Sequence, residues 1–230
     1  PGSVPAASHP SPPPPATDLV FNLNSGWTWI SFNNHAADMG INTVFGVHAL
    51  SYGDVVKSQF AFTQYYEGYG FYGTLAEFTT DSMYGVKLAN QLTLTFRGVP
   101  VAIPKTITLN SFGWTYLPVP YQTAMPLKDA VPTGVSFSLE DQIKSQFRFC
   151  AYYPGYGWYG SLSTVHPSQG YMIRLAASGG SATFVYPAGY EPPSPLPNPP
   201  PSPSAATSPP PSQSLSPVTS QSVSSPSPSP

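Results

Sequence analysis

Through most of the central chain, apolar and polar positions alternate with a period of two, as in strands whose side chains point to opposite faces in turn. Trp27, Trp29 and Ser31 alternate with Thr28, Ile30 and Phe32, a segment rich in the Trp, Ile and Phe that strands favour. The run Phe60-Ala61-Phe62-Thr63-Gln64-Tyr65-Tyr66 alternates again and is broken by Gly68 and Gly70, after which Gly73-Thr74-Leu75 opens another short strand. Tyr84-Gly85-Val86-Lys87-Leu88 and Leu92-Thr93-Leu94-Thr95-Phe96 follow, and Ala89-Asn90-Gln91 between them reads as a hairpin turn. Farther on, 171–175 and 182–186 flank Gly179-Gly180 in the same manner. Only 35–47 and 123–131 leave room for a helical turn, and Pro126 and Pro132 keep the second one short.

The pattern occurs twice. Gly26-Trp27-Thr28 recurs as Gly113-Trp114-Thr115, and Lys57-Ser58-Gln59-Phe60 recurs as Lys144-Ser145-Gln146-Phe147. Tyr65-Tyr66-Glu67-Gly68-Tyr69-Gly70-Phe71-Tyr72-Gly73 recurs as Tyr152-Tyr153-Pro154-Gly155-Tyr156-Gly157-Trp158-Tyr159-Gly160. Each pair is offset by 87 residues, and 26–89 aligns with 113–176 without a gap, 23 of 64 positions being identical. A repeat of this length means one unit read twice. The expected fold is all-β: two tandem homologous small β-modules of sandwich type, 18–101 and 102–188. They are flanked by polyproline II or otherwise extended proline-rich segments at 1–17 and 189–230. The connection Gly98-Val99-Pro100-Val101-Ala102-Ile103-Pro104-Lys105 is short and apolar, so the modules are expected to pack together.

Charged residues make up 8% of the chain, against about 25% in an average soluble domain. Net charge is −2 with scattered Lys and Arg, which argues against a nucleic-acid or anionic-membrane partner. No run of 18 apolar residues exists, so no membrane insertion is expected. The chain opens on Pro1 rather than Met, which reads as a processed or excised product compatible with secretion. Cys150 is the sole cysteine and lies in an alternating run, where it reads as a small packed residue rather than a reactive thiol.

Catalytic chemistry is not expected. Asp54 and Asp141 are equivalent and each precedes a repeated Lys-Ser-Gln-Phe, which suits a structural hydrogen bond. His9, His35, His48 and His166 fall at unrelated positions without metal-ligand spacing. No nucleophile elbow, phosphate loop or dinucleotide fingerprint is present. Glu67 gives way to Pro154 and Glu77 to Thr164, so no carboxylate pair recurs. No catalytic residue, metal site or cofactor is therefore assigned.

The aromatic clusters carry two readings. Phe60, Phe62, Trp27 and Trp114 are expected in the cores. Tyr69, Phe71, Tyr72, Tyr156, Trp158 and Tyr159, beside glycines, form a candidate binding platform, because flat rings with hydroxyl tips suit sugar rings and proline helices; the competing reading places them in the core.

Residues 192–230 hold 15 Pro and 13 Ser, and Pro10-Ser11-Pro12-Pro13-Pro14-Pro15 stands near the start. Such composition cannot bury a core and favours extended polyproline II. No Asn-x-Ser/Thr sequon occurs, so attached sugar would be O-linked.

These tracts resemble hydroxyproline-rich, extensin-like glycoproteins of green-algal cell walls and flagellar hairs. The Gly-Trp-Thr, Lys-Ser-Gln-Phe and Tyr-Tyr-x-Gly-Tyr-Gly-Trp/Phe-Tyr-Gly strings resemble repeats of large surface and adhesion proteins of bacteria and algae. The resemblance implies an extracellular location at a wall or flagellar surface. It implies covalent arabinose- and galactose-type glycans at Ser11, Pro12, Pro13, Pro14, Pro15, Pro192, Pro193, Pro199, Pro200, Pro201, Ser208, Pro209, Pro210 and Pro211. The expected function is a structural subunit of a glycoprotein fibre or surface layer, with copies of itself and wall glycans as partners. The alternative is a carbohydrate-binding adhesion module on a proline-rich stalk.

Overall fold

The computed structural model describes residues 14–110, 113–131, 135–176 and 183–188, and these are predominantly β-sheet. In the first half the strands are β1 (Thr17–Leu23), β2 (Gly26–Ser31), β3 (Asn34–His35), β4 (Val55–Lys57), β5 (Phe62–Tyr66), β6 (Gly70–Gly73), β7 (Met83–Leu88) and β8 (Leu92–Pro100), with one helical turn, α1 (Ile41–Phe45). They form a five-stranded sheet ordered β2-β7-β4-β5-β6 and a three-stranded sheet ordered β1-β8-β3, all antiparallel.

The second half comprises β9 (Lys105–Thr108), β10 (Trp114–Leu117), β11 (Met125–Pro126), α2 (Leu127–Ala130), β12 (Gln142–Lys144), β13 (Phe149–Tyr153), β14 (Gly157–Gly160), β15 (Thr164–Val165), β16 (Tyr171–Arg174) and β17 (Thr183–Tyr186). Its five-stranded sheet runs β10-β16-β12-β13-β14, beside the pairs β17-β9 and β11-β15. The registers of the two large sheets agree residue for residue at the 87-residue offset. Trp27 lies opposite Lys87 as Trp114 lies opposite Arg174, and Thr63 opposite Gly73 as Cys150 opposite Gly160. Outside the ungapped block each strand is displaced by one further residue, so Ile107 opposite Phe184 takes the place of Leu19 opposite Phe96.

Two sequence expectations are corrected. The segments 84–88 and 92–96 are not a hairpin: β7 is hydrogen-bonded on both sides, to β2 and β4, while β8 pairs with β1 along Leu92–Gly98 and with β3 at Val99 and Pro100. The three residues between them carry the chain from one sheet to the other. Nor does a strand open at Gly73; β6 ends there, because the Thr74 and Leu75 N–H groups both turn to the Phe62 carbonyl at 2.9 and 3.1 Å.

Each half buries its own apolar cluster. In the first, Phe32 has no exposed surface and its ring centroid lies 4.8 Å from Phe21, 4.6 Å from Phe78 and 5.0 Å from Phe96, so both sheets contribute to one core. In the second, Ile107, Val119, Ile143, Cys150 and Ile173 pack with Phe184 and Tyr186. Two equivalent tyrosines anchor loops with their hydroxyls: Tyr84 accepts the Thr79 N–H at 2.7 Å and Tyr171 accepts the His166 N–H at 2.9 Å. Burial raises the pKa of both phenols, Tyr171 to about 12, so they stay neutral hydrogen-bonding groups.

The halves belong to one compact unit. Ile30 bridges Gln169, with Ser31 N–H donating to Ser168 O at 3.1 Å and Gly170 N–H to Trp29 O at 3.1 Å. Buried Asn33 donates from Nδ2 to Tyr121 O at 2.6 Å, and Lys105 pairs with Asp81 at 2.7 Å.

Candidate aromatic binding face

The β5–β6 hairpin displays the aromatic cluster. Thr63 is buried while Phe62 and Tyr66 are exposed, and Tyr72 lies opposite Gln64. Strand parity therefore puts Phe62, Tyr66 and Tyr72 on the outward face. Tyr52 stands edge-on to Tyr66, with centroids 5.7 Å apart. The turn between the strands closes through Tyr69 N–H to Tyr66 O at 3.0 Å, and Gly68 and Gly70 adopt φ of 78° and 82°. Side-chain-bearing residues rarely occupy that region, so glycine is required there, and Tyr69 is held out at the tip, 88% exposed.

The second half repeats this arrangement. Phe149, Tyr153 and Tyr159 share the outward face of β13 and β14, with Tyr153 edge-on to Tyr159 at 6.2 Å. Tyr156 is displayed between Gly155 and Gly157, at φ of 81° and 88°, and is 79% exposed. Tyr153, Tyr156 and Tyr159 line a shallow cleft of about 450 Å³. A neighbouring groove of about 700 Å³ runs along Leu127, Val131, Phe137, Trp158 and Leu162.

Of the six platform residues expected from sequence, Tyr69, Tyr72, Tyr156 and Tyr159 are exposed. Phe71 is not: it points into the core, 6% exposed, against Phe45 at 5.3 Å and Tyr65 at 5.5 Å. Trp158, its counterpart, is half-buried between Phe137 and Tyr152, 5.0 and 5.5 Å away, and forms a wall of the groove. The reverse correction applies to the residues expected in the cores. Phe60 and Phe62 are exposed. Trp27 is exposed and Trp114 half-buried, neither belongs to a core cluster, and each lies under a cation: the Lys57 ammonium sits 4.5 Å over Trp27, and Lys144 4.0 Å over Trp114 with Arg174 at 5.5 Å. Sequence reasoning also omitted Tyr52, Tyr66, Phe147, Phe149 and Tyr153, all exposed. The signal was available in part, since Phe60, Phe62 and Tyr66 share one parity and Thr63 and Tyr65 the other.

Asp54 and Asp141 are structural acceptors. Asp54 takes the Ser51 and Ala89 N–H groups at 2.9 and 2.7 Å, and Asp141 the equivalent Ser138 and Ala176 N–H groups at 2.8 and 2.5 Å. Cys150 is buried, its thiol directed to Ile143 O at 3.6 Å, and burial pushes its pKa up to about 12. Among the described residues no group of three His, Cys, Asp or Glu could hold a metal ion, and no helix is long and apolar enough to cross a membrane. Of the expected glycan positions only Pro14 and Pro15 are described, both exposed; the others, and His9, lie outside the described residues.

The chemistry open to this face is ring stacking with hydroxyl hydrogen bonding, towards saccharide or pyrrolidine rings. No family model, curated protein or solved structure matches the chain.

Proposed function

We propose that the chain is a structural subunit of an extracellular glycoprotein fibre or surface layer. In this reading two tandem homologous β-modules, 18–101 and 102–188, make the subunit contacts, and the proline-rich ends at 1–17 and 189–230 carry O-linked sugar and form the shaft or tether. The observation that carries it is the duplicated display of Tyr69 and Tyr72 in one half and Tyr156 and Tyr159 in the other. Each pair is raised on a glycine-punctuated hairpin, with the same strand register behind it. Four largely exposed tyrosines on a chain with 8% charged residues support the reading of this face as a contact surface.

The ligand that best matches such a surface within the assembly is a proline-rich end of a neighbouring subunit, whose pyrrolidine rings stack on tyrosine. A contact between two different surfaces need not close into a ring, and so it can propagate a filament. A second reading, a carbohydrate-binding module, draws on the same tyrosines, because the cleft of Tyr153, Tyr156 and Tyr159 also suits a sugar ring. Sedimentation of the full chain and of a chain lacking 192–230 separates them. Assembly that grows with concentration and disappears on truncation, with the β-sheet spectrum intact, supports the fibre. Soluble oligosaccharide binding by the truncated, non-assembling chain favours the alternative.

A further inference from the structure

The strand β2 lies at the outer edge of its five-stranded sheet, and β10 at the outer edge of the other. An edge strand presents unpaired backbone groups that another partner can take. The Gln59 side chain meets the edge of β10, donating from Nε2 to Trp114 O at 2.5 Å and accepting Tyr116 N–H on Oε1 at 2.9 Å. Its counterpart Gln146 meets the edge of β2, donating to Trp27 O at 2.7 Å and accepting Trp29 N–H at 3.1 Å. Trp27 and Trp29 are the 87-residue equivalents of Trp114 and Tyr116. The two contacts are thus one contact made twice, in opposite directions.

Each primary amide takes the C=O of residue i and the N–H of residue i+2, the pair that a neighbouring strand would use. One of the adjoining lysines reinforces the arrangement: Lys144 lies over both Trp114 and Trp29, at 4.0 and 5.9 Å, so its ammonium spans the boundary between the halves, whereas Lys57 stays over Trp27 of its own half. The amide device is not confined to the boundary. Asn42 holds the edge of β6, donating to Phe71 O at 3.1 Å and accepting Phe71 N–H at 2.6 Å. At the matching place beside β14 stands Asp129, paired instead with Lys128 at 2.7 Å.

We propose that the repeated Lys-Ser-Gln-Phe loop is a homotypic docking element whose partner is the Gly-Trp-Thr strand edge of another copy of the same fold, here the other half of the chain. A reciprocal contact of this kind has the form of an isologous dimer interface, which closes on itself. The clasp therefore joins two halves and leaves no open end, so growth beyond one chain must use other surfaces. This inference is independent of the fibre reading, because it concerns only how one half recognises its equal.

The test cuts the covalent link and asks whether recognition survives. A protease site inserted after Ala102, which is exposed, lets the full folded chain be cleaved between the halves. The fragments of the otherwise unaltered chain are expected to sediment as one particle. Gln59→Ala and Gln146→Ala should each weaken their association about 10- to 100-fold, to similar extents, since each removes two hydrogen bonds. The double variant should be weaker than either single variant, the remaining contacts being the Ser31–Ser168, Gly170–Trp29 and Asn33–Tyr121 hydrogen bonds and the Lys105–Asp81 pair. Near-UV circular dichroism of the uncut variants checks the fold, and should the double variant unfold, the single variants carry the test alone. Separation of the unaltered fragments would overturn the proposal, as would double-variant fragments that associate as tightly as the unaltered ones, or single variants differing by more than tenfold.

Discussion

Replacing Asp54 with Ala tests whether the repeated aspartate is a structural keystone. Asp54 is 4% exposed and its carboxylate ties the turn at Ser51 to the residue after β7, Ala89, through N–H donors at 2.9 and 2.7 Å. A hydrogen bond to a charged group contributes about 1.5–3 kcal/mol, and the alanine variant leaves two backbone donors without their acceptor. The desolvation of the lost carboxylate offsets part of this, so the expected net cost is about 2–4 kcal/mol. At roughly 2–4 °C per kcal/mol for a domain of this size, the midpoint of thermal unfolding should fall by about 5–15 °C. Asp141→Ala should cost a similar amount, because Ser138 and Ala176 donate to Asp141 at 2.8 and 2.5 Å. The asparagine variants keep one acceptor but turn an NH₂ towards the other donor, so they should lose at least half as much. Thermal melts followed by near- and far-UV circular dichroism read all four. Midpoints within 2 °C of the parent for both alanine variants would refute the assignment, and a loss at only one site would refute the equivalence of the halves.

Three further outcomes are expected. Gly73→Ala and Gly160→Ala place a Cβ against the carbonyl oxygens of Phe62 and Phe149, so each should destabilise by about 2 kcal/mol or more in urea melts; neutral substitutions would contradict the packing. Burial raises the Cys150 pKa to about 12, so at pH 8 the thiol stays protonated and should resist a thiol-specific disulfide reagent until the chain is unfolded; rapid stoichiometric labelling of the native protein would contradict it. Intact mass and peptide mapping of native material should find mass above 24.5 kDa carried by 1–17 and 189–230, and unmodified proline at Pro12–Pro15 and 192–211 would contradict the glycoprotein reading.

Much of the fold was legible because strand parity and an 87-residue repeat constrain one another. Once Trp27 and Trp114, or Asp54 and Asp141, are equated, one unit serves for both, and the registers of the large sheets follow that offset. What parity cannot supply is which face is inward when both carry aromatic rings. On β5 the outward Phe62 and Tyr66 are as apolar as the inward Tyr65, so Phe62 was expected inside and is exposed. The same ambiguity left Phe71 between platform and core, and its ring fills the space beside Phe45. Local spacing also misleads about partners. Three residues between β7 and β8 fit a hairpin, yet each strand finds its partners elsewhere in the chain. The role of Gln59 and Gln146 is non-local, spanning 55 and 119 residues to the carbonyls they reach, and identity between the repeats was its only trace in the sequence.

In the proposed fibre the exposed tyrosines build the assembly. Electron microscopy of the native chain over a range of concentrations, beside a variant with Tyr69, Tyr72, Tyr156 and Tyr159 all changed to Ser, tests it most directly. These four rings lie outside both cores, so the variant should keep the parent's circular dichroism and thermal midpoint. Fibres or layers are expected from the parent and dispersed particles from the variant. Equal assembly by both, or a parent that stays dispersed at every concentration, would contradict the proposed role of these rings.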